Sequence, residues 1–177
     1  MFRSYILYLA EAYIPLQNVK HRGSSFTLRM LSRSPWLLHF NTGACNGCDI
    51  EVLAALTPLY DPERFGIRLA PNPRHADIII VTGALTKKSA ERLRRLYEQT
   101  PDPKHVVAVG TCAISGNVFR NSYSVVGGAD NVVPVDLYIP GCPPRPDAIL
   151  QAIVRLLKSI REEADRIEAA KTVAEEQ

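Results

Sequence analysis

Downstream of Pro35 the chain alternates short, largely apolar runs with segments whose apolar residues recur at helical spacing. The apolar runs cover residues 36–40, 77–83, 105–110 and 132–139, and continuous apolar runs are typical of parallel strands buried on both faces. The helical patterns cover residues 49–60, 86–99 and 144–170. This alternation predicts a doubly wound α/β domain with a parallel sheet and indicates no repeat or second domain.

The two ends of the chain differ from this pattern. An amphipathic helix is predicted at the N-terminus, because the apolar residues there recur at nearly helical spacing: Phe2, Ile6, Leu9 and Tyr13. Pro15 is expected to end this helix, and a basic stretch follows. This segment either lies against a membrane surface or membrane subunit, or covers the domain's own core. We therefore divide the chain into an N-terminal extension (1–34), the α/β domain (35–160) and a charged helix end and tail (161–177).

Composition narrows the class of protein. The 177 residues are 46% hydrophobic and 22% charged with a formal net charge of +3, which suits a folded domain with a sizeable core. No long Lys/Arg run or RNA-binding aromatic motif is present, so we expect no nucleic-acid partner. No apolar stretch reaches about 20 residues and no secretory signal is evident, so we expect a cytosolic chain with reduced thiols.

Four cysteines carry the chemistry: Cys45, Cys48, Cys112 and Cys142. Each lies in a loop with glycine or proline neighbours, directly after a predicted strand. Loops that follow parallel strands gather at one edge of a doubly wound sheet, so the four thiols are expected to meet there. The predicted fold is thus a flavodoxin-like parallel sheet whose cluster-binding loops lie at the carboxyl ends of strands. Four thiolates at one point are the ligand set of an iron–sulfur cluster or of zinc.

Several interpretations of these cysteines remain open from the spacing alone. A redox dithiol needs only the Cys-x2-Cys pair and leaves Cys112 and Cys142 unexplained. Zinc sites usually combine two short motifs such as Cys-x2-Cys, whereas here Cys112 and Cys142 are single and far apart in the sequence. The spacing therefore favours a cluster over zinc and over unrelated thiols. Gly47, Gly110 and Gly141 would let backbone N–H groups approach cluster sulfurs.

At these motifs the chain resembles a known family, the small iron–sulfur subunit shared by complex I and the energy-converting, membrane-bound NiFe hydrogenases. The resemblance covers roughly residues 33–158 and is carried by segments 41–51, 73–77, 109–113 and 139–146. It implies that the four cysteines bind one 4Fe–4S cluster. It also implies an electron-transfer subunit, not catalytic alone, that relays electrons to or from the active site of a neighbouring large subunit.

The resemblance further implies partners and a location. The expected partners are a large catalytic subunit homologous to the NiFe hydrogenase large or complex I 49 kDa subunit, a ferredoxin-like two-cluster subunit, and membrane subunits. The chain would then be a peripheral subunit of an ion-pumping respiratory complex on the cytoplasmic face of the cell membrane.

One departure separates the branches of the family. Complex I subunits carry adjacent cysteines in the first motif, whereas Cys45 and Cys48 are separated here, as in the hydrogenase branch. A membrane-bound sulfane sulfur reductase and a quinone-reducing, complex I-like enzyme stay as alternatives. A zinc-stabilised structural subunit is the alternative of another class. A lone flavodoxin-like oxidoreductase is a different enzyme alternative. It would need a phosphate-binding loop after the first strand, and that loop is occupied by Cys45 and Cys48.

Other polar residues are weaker candidates. Glu51 is either an electrostatic partner at a subunit interface or a helix-start carboxylate. Arg74 either places a positive charge near the cluster or pairs with a surface carboxylate. His39 and His75 are expected to be structural, because four cysteines complete a cluster. Asp136 falls within a predicted strand, where a carboxylate is costly unless paired, and has no assigned role.

Overall fold

The structure, a computed structural model, describes residues 23–175. The strands in this range are β1 (Trp36–Asn41), β2 (Arg68–Leu69), β3 (Ile78–Thr82), β4 (Leu85–Thr86), β5 (His105–Val109), β6 (Val125–Gly127) and β7 (Leu137–Ile139). Five of them form a parallel sheet in the order β2–β1–β3–β5–β7, while β4 and β6 form a small antiparallel pair. The strand order reverses at β1, as in flavodoxin-like sheets, which confirms the predicted fold class.

The α-helices in the described range are α1 (Ser25–Arg33), α2 (Gly47–Ala55), α3 (Lys87–Gln99), α4 (Thr111–Ser115) and α5 (Pro146–Glu175). Short 3-10 turns cover Pro62–Phe65, Pro73–His75, Asn117–Phe119 and Ala129–Asn131. None of these helices combines the length and apolar character needed to cross a bilayer.

Both faces of the sheet are covered, as its apolar strands predict. Ile78 and Ile80 of β3 belong to a large core beneath α1, α2 and α5. Ile79 and Val81, on the opposite face, pack with Leu93 of α3. All five residues of β3 are buried, because each face of a doubly wound sheet carries helices.

Two predicted elements are shorter in the structure. Helix α2 ends at Ala55 instead of residue 60, since Pro58 disfavours helical backbone at Thr57, whose hydroxyl instead donates to the carbonyl of Ala54. Strand β7 begins at Leu137 instead of residue 132, because the preceding apolar residues pack beneath α3. The strand pair β4–β6 and the two-residue strand β2 were not predicted.

Helix α1 packs against α5. Leu28 and Leu31 are buried in the large core, so this part of the N-terminal segment covers the domain. Arg29 forms ion pairs with Asp165 and Glu168 in the predicted charged end of α5. Residues 1–22, including the predicted amphipathic helix, lie outside the described residues, and the three-part division of the chain stays a prediction.

Candidate metal-cluster site

The four cysteines lie at the carboxyl edge of the parallel sheet. Cys45 follows β1, Cys48 lies in the first turn of α2, Cys112 lies in α4 after β5, and Cys142 follows β7. Since β1, β5 and β7 run parallel through the sheet, these loops share one edge, as the pattern of strands predicts.

Two glycines show how closely the loops approach. A β-carbon built on Gly47 would lie 3.6 Å from the sulfur of Cys45 and 3.8 Å from the ring of Pro143. One built on Gly110 would lie 2.5 Å from the sulfur of Cys48. The first cysteine loop therefore touches both the β5 loop and the β7 loop.

The thiols differ in exposure. All four are free; Cys48 is buried and Cys112 half-buried, whereas Cys45 and Cys142 are exposed. Burial, and after it the negative charges of Cys112, Cys142, Cys45 and Asp49, together raise the pKa of Cys48 to about 11. Burial also raises the pKa of Cys112, although a hydrogen bond from Asn117 acts in the opposite direction. The site thus has a buried side and a side open at the protein surface.

Asn41, at the end of β1, shapes the first cysteine loop. Its side-chain oxygen accepts hydrogen bonds from the backbone N–H groups of Gly43 and Ala44, each 2.9 Å long. The hydroxyl of Thr42 donates to the carbonyl of Thr82 on the neighbouring strand, at 2.8 Å. These bonds hold the turn that leads into Cys45 against the ends of β1 and β3.

The other two cysteine loops are tied directly to each other. The backbone N–H and the hydroxyl of Thr111 both donate to the carbonyl of Gly141, at 2.9 and 3.0 Å. Gly110 has φ +86° and ψ 154°, a backbone conformation almost restricted to glycine. The carbonyl shared with Thr111 fixes the spacing between the Cys112 and Cys142 loops.

Asp49 was missed from the sequence as a site residue. Its carboxylate is buried and lies near the ends of β1 and β3, where it accepts hydrogen bonds from Asn41 and Thr82 and contacts His39. Asp49 shares a helix face with the buried Val52. The sequence carried no clear signal for this, because the apolar residues Ile50 and Leu53 on another face are exposed. His39, expected to be structural, is part of this group of side chains.

The remaining candidates divide between the two edges of the sheet. Glu51 is half-buried in α2, near the cysteines. Arg74 and His75 are exposed in the turn that precedes β3, at the amino edge. A five-residue strand separates the two edges by about 16 Å. The structure therefore does not bring Arg74 to the cysteines.

Asp136 lies just before β7, also at the amino edge, and not within a strand as expected. Its carboxylate accepts a hydrogen bond from the backbone N–H of Val106, at 2.8 Å, and lies 3.5 Å from Nδ1 of the buried His105. These contacts satisfy the carboxylate and join the starts of β5 and β7, which is a structural role.

Exposed apolar side chains flank the cysteine loops. Ile50 and Leu53 on α2 are 63% and 53% exposed, and Val118, Phe119 and Tyr123 are exposed in the segment after Cys112. Apolar side chains grouped at a surface are typical of protein–protein interfaces.

The thiols limit which metals the site would suit. Within the described residues, no three His, Cys, Asp or Glu side chains gather closely enough to hold a single metal ion. Thiolates are soft ligands that suit zinc, copper(I) and iron–sulfur clusters. Four free cysteines along one edge of the sheet are the donor set of a 4Fe–4S cluster, and Gly110 leaves the space that the sulfur of Cys48 occupies.

Comparison with known proteins decides the family. The model of the family described as NADH ubiquinone oxidoreductase, 20 Kd subunit, matches residues 45–156. The chain belongs to this family. The resemblance inferred from the cysteine motifs is thereby confirmed.

Members of the 20 Kd subunit family with curated names come from several kinds of complex. The chain is 54% identical to the probable membrane-bound hydrogenase subunit mbhJ of Pyrococcus furiosus over 75% of this chain and 79% of that protein. It is 47% identical to formate hydrogenlyase subunit 7 of Escherichia coli, over 73% of this chain and 51% of that protein. It is 49% identical to an NADH-quinone oxidoreductase subunit of Bacteroides thetaiotaomicron, over 73% of this chain and 65% of that protein.

Solved structures agree with the family. A chain of the membrane-bound sulfane sulfur reductase, an archaeal respiratory membrane complex, superposes with a TM-score of 0.69 and 37% identity, covering 79% of this chain and 77% of that one. A chain of an NAD+-reducing [NiFe]-hydrogenase matches with a TM-score of 0.58 and 21% identity, covering 72% of this chain and 93% of that one. This match supports the fold.

Proposed function

We propose that this chain is the electron-transfer subunit of a membrane-bound oxidoreductase complex, with one 4Fe–4S cluster held by Cys45, Cys48, Cys112 and Cys142. The observation that carries the proposal is that four free cysteines, following three parallel strands, lie along one edge of the sheet. The 20 Kd subunit family supports it, since its named members belong to oxidoreductase complexes.

The surroundings of the thiols suit this role. A bound 4Fe–4S cluster supplies one-electron transfer. The chain supplies the thiolates, keeps water from the buried side at Cys48, and holds the loops in place through Asn41 and Thr111. Gly110 leaves space for the sulfur of Cys48, while its own N–H donates to the carbonyl of Ile139 at 2.8 Å.

The exposed side of the site suits a partner that receives or delivers the electron. Cys45 and Cys142 are exposed, and Ile50 and Leu53 present apolar surface near them. The large catalytic subunit is the partner we place there, with the substrate chemistry in that subunit. A ferredoxin-like two-cluster subunit and membrane subunits complete the complex, and we place this chain as a peripheral subunit on the cytoplasmic face of the membrane.

Among the complexes of this family, a hydrogenase-like one is favoured. The separation of Cys45 and Cys48 suits the hydrogenase branch, and the 54% identity to a probable membrane-bound hydrogenase subunit agrees with it. A membrane-bound sulfane sulfur reductase is the second candidate, because a chain of that complex shares the fold at 37% identity. Relatives named as quinone oxidoreductase subunits keep the quinone-reducing alternative.

Metal and sulfide analysis tests the cluster. The full-length chain, purified anaerobically, is expected to be brown and to contain about four iron and four acid-labile sulfide per chain. Zinc at one equivalent without sulfide would contradict the proposal and favour a zinc-stabilised structural subunit.

Cys112→Ser and Cys142→Ser are expected to abolish or distort the EPR signal of the reduced cluster, with Ser124→Ala as the control. An unchanged signal in both cysteine variants would remove them from the ligand set.

A further inference from the structure

The carboxylate of Asp49 is held beside the candidate ligand Cys48 by side chains from two strands. Oδ2 accepts a hydrogen bond from Nδ2 of Asn41 at 2.5 Å, and Oδ1 accepts one from the hydroxyl of Thr82 at 2.5 Å. Nε2 of His39 lies 3.0 Å from the same Oδ1. Both oxygens accept hydrogen bonds, as those of an ionised carboxylate do.

Asn41 connects this carboxylate to the other half of the first cysteine motif. While its Nδ2 donates to Asp49, its Oδ1 accepts from the backbone N–H groups of Gly43 and Ala44. One side chain, anchored at the end of β1, therefore links the loop before Cys45 to the turn that carries Cys48.

A simple helix-start role does not explain this arrangement. Asp49 lies in the first turn of α2, where any exposed carboxylate would gain from the helix dipole. It is instead buried, at 8% exposure, and its hydrogen bonds run to side chains at the strand ends. Burying a carboxylate is costly unless it is hydrogen-bonded, so these contacts stabilise a charge in a fixed place.

We propose that Asp49 is a positioning residue which, held by Asn41 and Thr82, fixes the turn of Cys48 and places a negative charge beside the cluster that lowers its reduction potential. The inference rests on the proposed function. The physical reason is electrostatic: reduction adds an electron to the cluster, and a fixed negative charge on the residue next to Cys48 opposes it, more strongly where water is excluded.

A redox titration tests the charge. The full-length chain, purified anaerobically, is titrated at pH 8 and the reduced cluster is followed by EPR. Asp49→Asn is expected to raise the midpoint potential. Asp102→Asn makes the same charge change at an exposed position before β5, at the amino edge, and is expected to leave the potential unchanged.

Thr82→Val separates charge from packing, because it removes one hydrogen bond and keeps the carboxylate. It is expected not to reproduce the rise in potential. A potential in Asp49→Asn equal to that of the wild-type chain would overturn the inference. An equal rise in Thr82→Val and Asp49→Asn would also overturn it, since the shift would then follow from packing.

Iron release to a chelator tests the positioning, and decides the case if Asp49→Asn retains no cluster. Asn41→Ala is expected to lose iron several-fold faster than the wild-type chain. Asn72→Ala removes a capping asparagine at the amino edge and is expected to release iron at the wild-type rate. Equal rates in Asn41→Ala and the wild-type chain would overturn the positioning role. Absence of iron and sulfide from the wild-type chain would instead contradict the proposed function.

Discussion

At the scale of single residues, Gly110 controls how closely the β5 loop approaches the first cysteine motif. Its φ of +86° and ψ of 154° cost about 1–3 kcal/mol for a residue with a side chain. Its missing β-carbon also leaves room for the sulfur of Cys48, which would lie 2.5 Å from that atom. The position therefore combines a backbone requirement with a requirement of the site.

Gly110→Ala is expected to lower stability by about 1–3 kcal/mol and to reduce the iron bound per folded chain, because the added carbon displaces Cys48. Gly116→Ala is the control. Gly116 also has a positive φ, of +82°, but the atoms nearest to its β-carbon would be those of Arg120 and Gly127, at 3.2 Å or more. Urea unfolding and iron analysis measure the two effects. Full iron content in Gly110→Ala would show that the Cys48 sulfur does not depend on this gap.

At the scale of elements, α1 and α5 form a pair that closes one face of the sheet. Leu28 and Leu31 of α1 enter the same core as Ile153 and Leu156 of α5. The ion pairs of Arg29 lie at the surface of this contact, where solvent screening leaves them little net stability. Burial of the two leucines is what holds α1 in place.

Leu28→Ala is expected to lower the free energy of unfolding by about 2–5 kcal/mol, because it opens a cavity where the side chain is fully buried. Phe26→Ala, on the same helix at a side chain that is 70% exposed, is expected to change it by less than about 0.5 kcal/mol. The midpoints of denaturant unfolding compare the two. Similar midpoints would mean that α1 does not contribute to the folded domain.

At the scale of the whole molecule, the two edges of the sheet have different chemistry. The carboxyl edge carries the cysteines and exposed apolar side chains, including Ile50. The amino edge carries Asp77 and Asp136, which accept backbone hydrogen bonds from neighbouring strands. Burial raises the pKa of Asp77 above its usual value, against the lowering effects of its hydrogen bond from Trp36 and of His105. One edge is thus suited to binding and the other to holding strands together.

The double variant Ile50→Glu with Leu53→Glu is expected to weaken association with the large catalytic partner roughly tenfold or more, since it introduces charges into an apolar contact. Iron content should stay unchanged. Leu69→Glu alters an exposed leucine of β2, away from the cysteine edge, and should leave association intact. Co-purification of the subunits measures both. Equal recovery from both variants would place the interface elsewhere.

Much of the fold follows from local pattern. Strand β3 and helix α3 begin and end within a residue or so of their predicted bounds, because long apolar runs and a repeated helical spacing are strong signals. Residues 132–135 were predicted as strand and are not, because an apolar run alone does not distinguish a strand from a segment packed beneath a helix. Local pattern also could not place α1 against α5, since that contact joins distant parts of the chain.

The sequence by itself determined where the cysteines lie. Each follows a strand, and parallel strands end at one edge, so order along the chain was enough to predict one site. Only the tertiary structure decided which polar residues reach that site. Asp49 turns inward to Asn41 and Thr82, whereas Arg74 lies across the sheet. The reason is that a side chain's neighbours depend on strand register and helix rotation, which are fixed by packing between residues far apart in sequence.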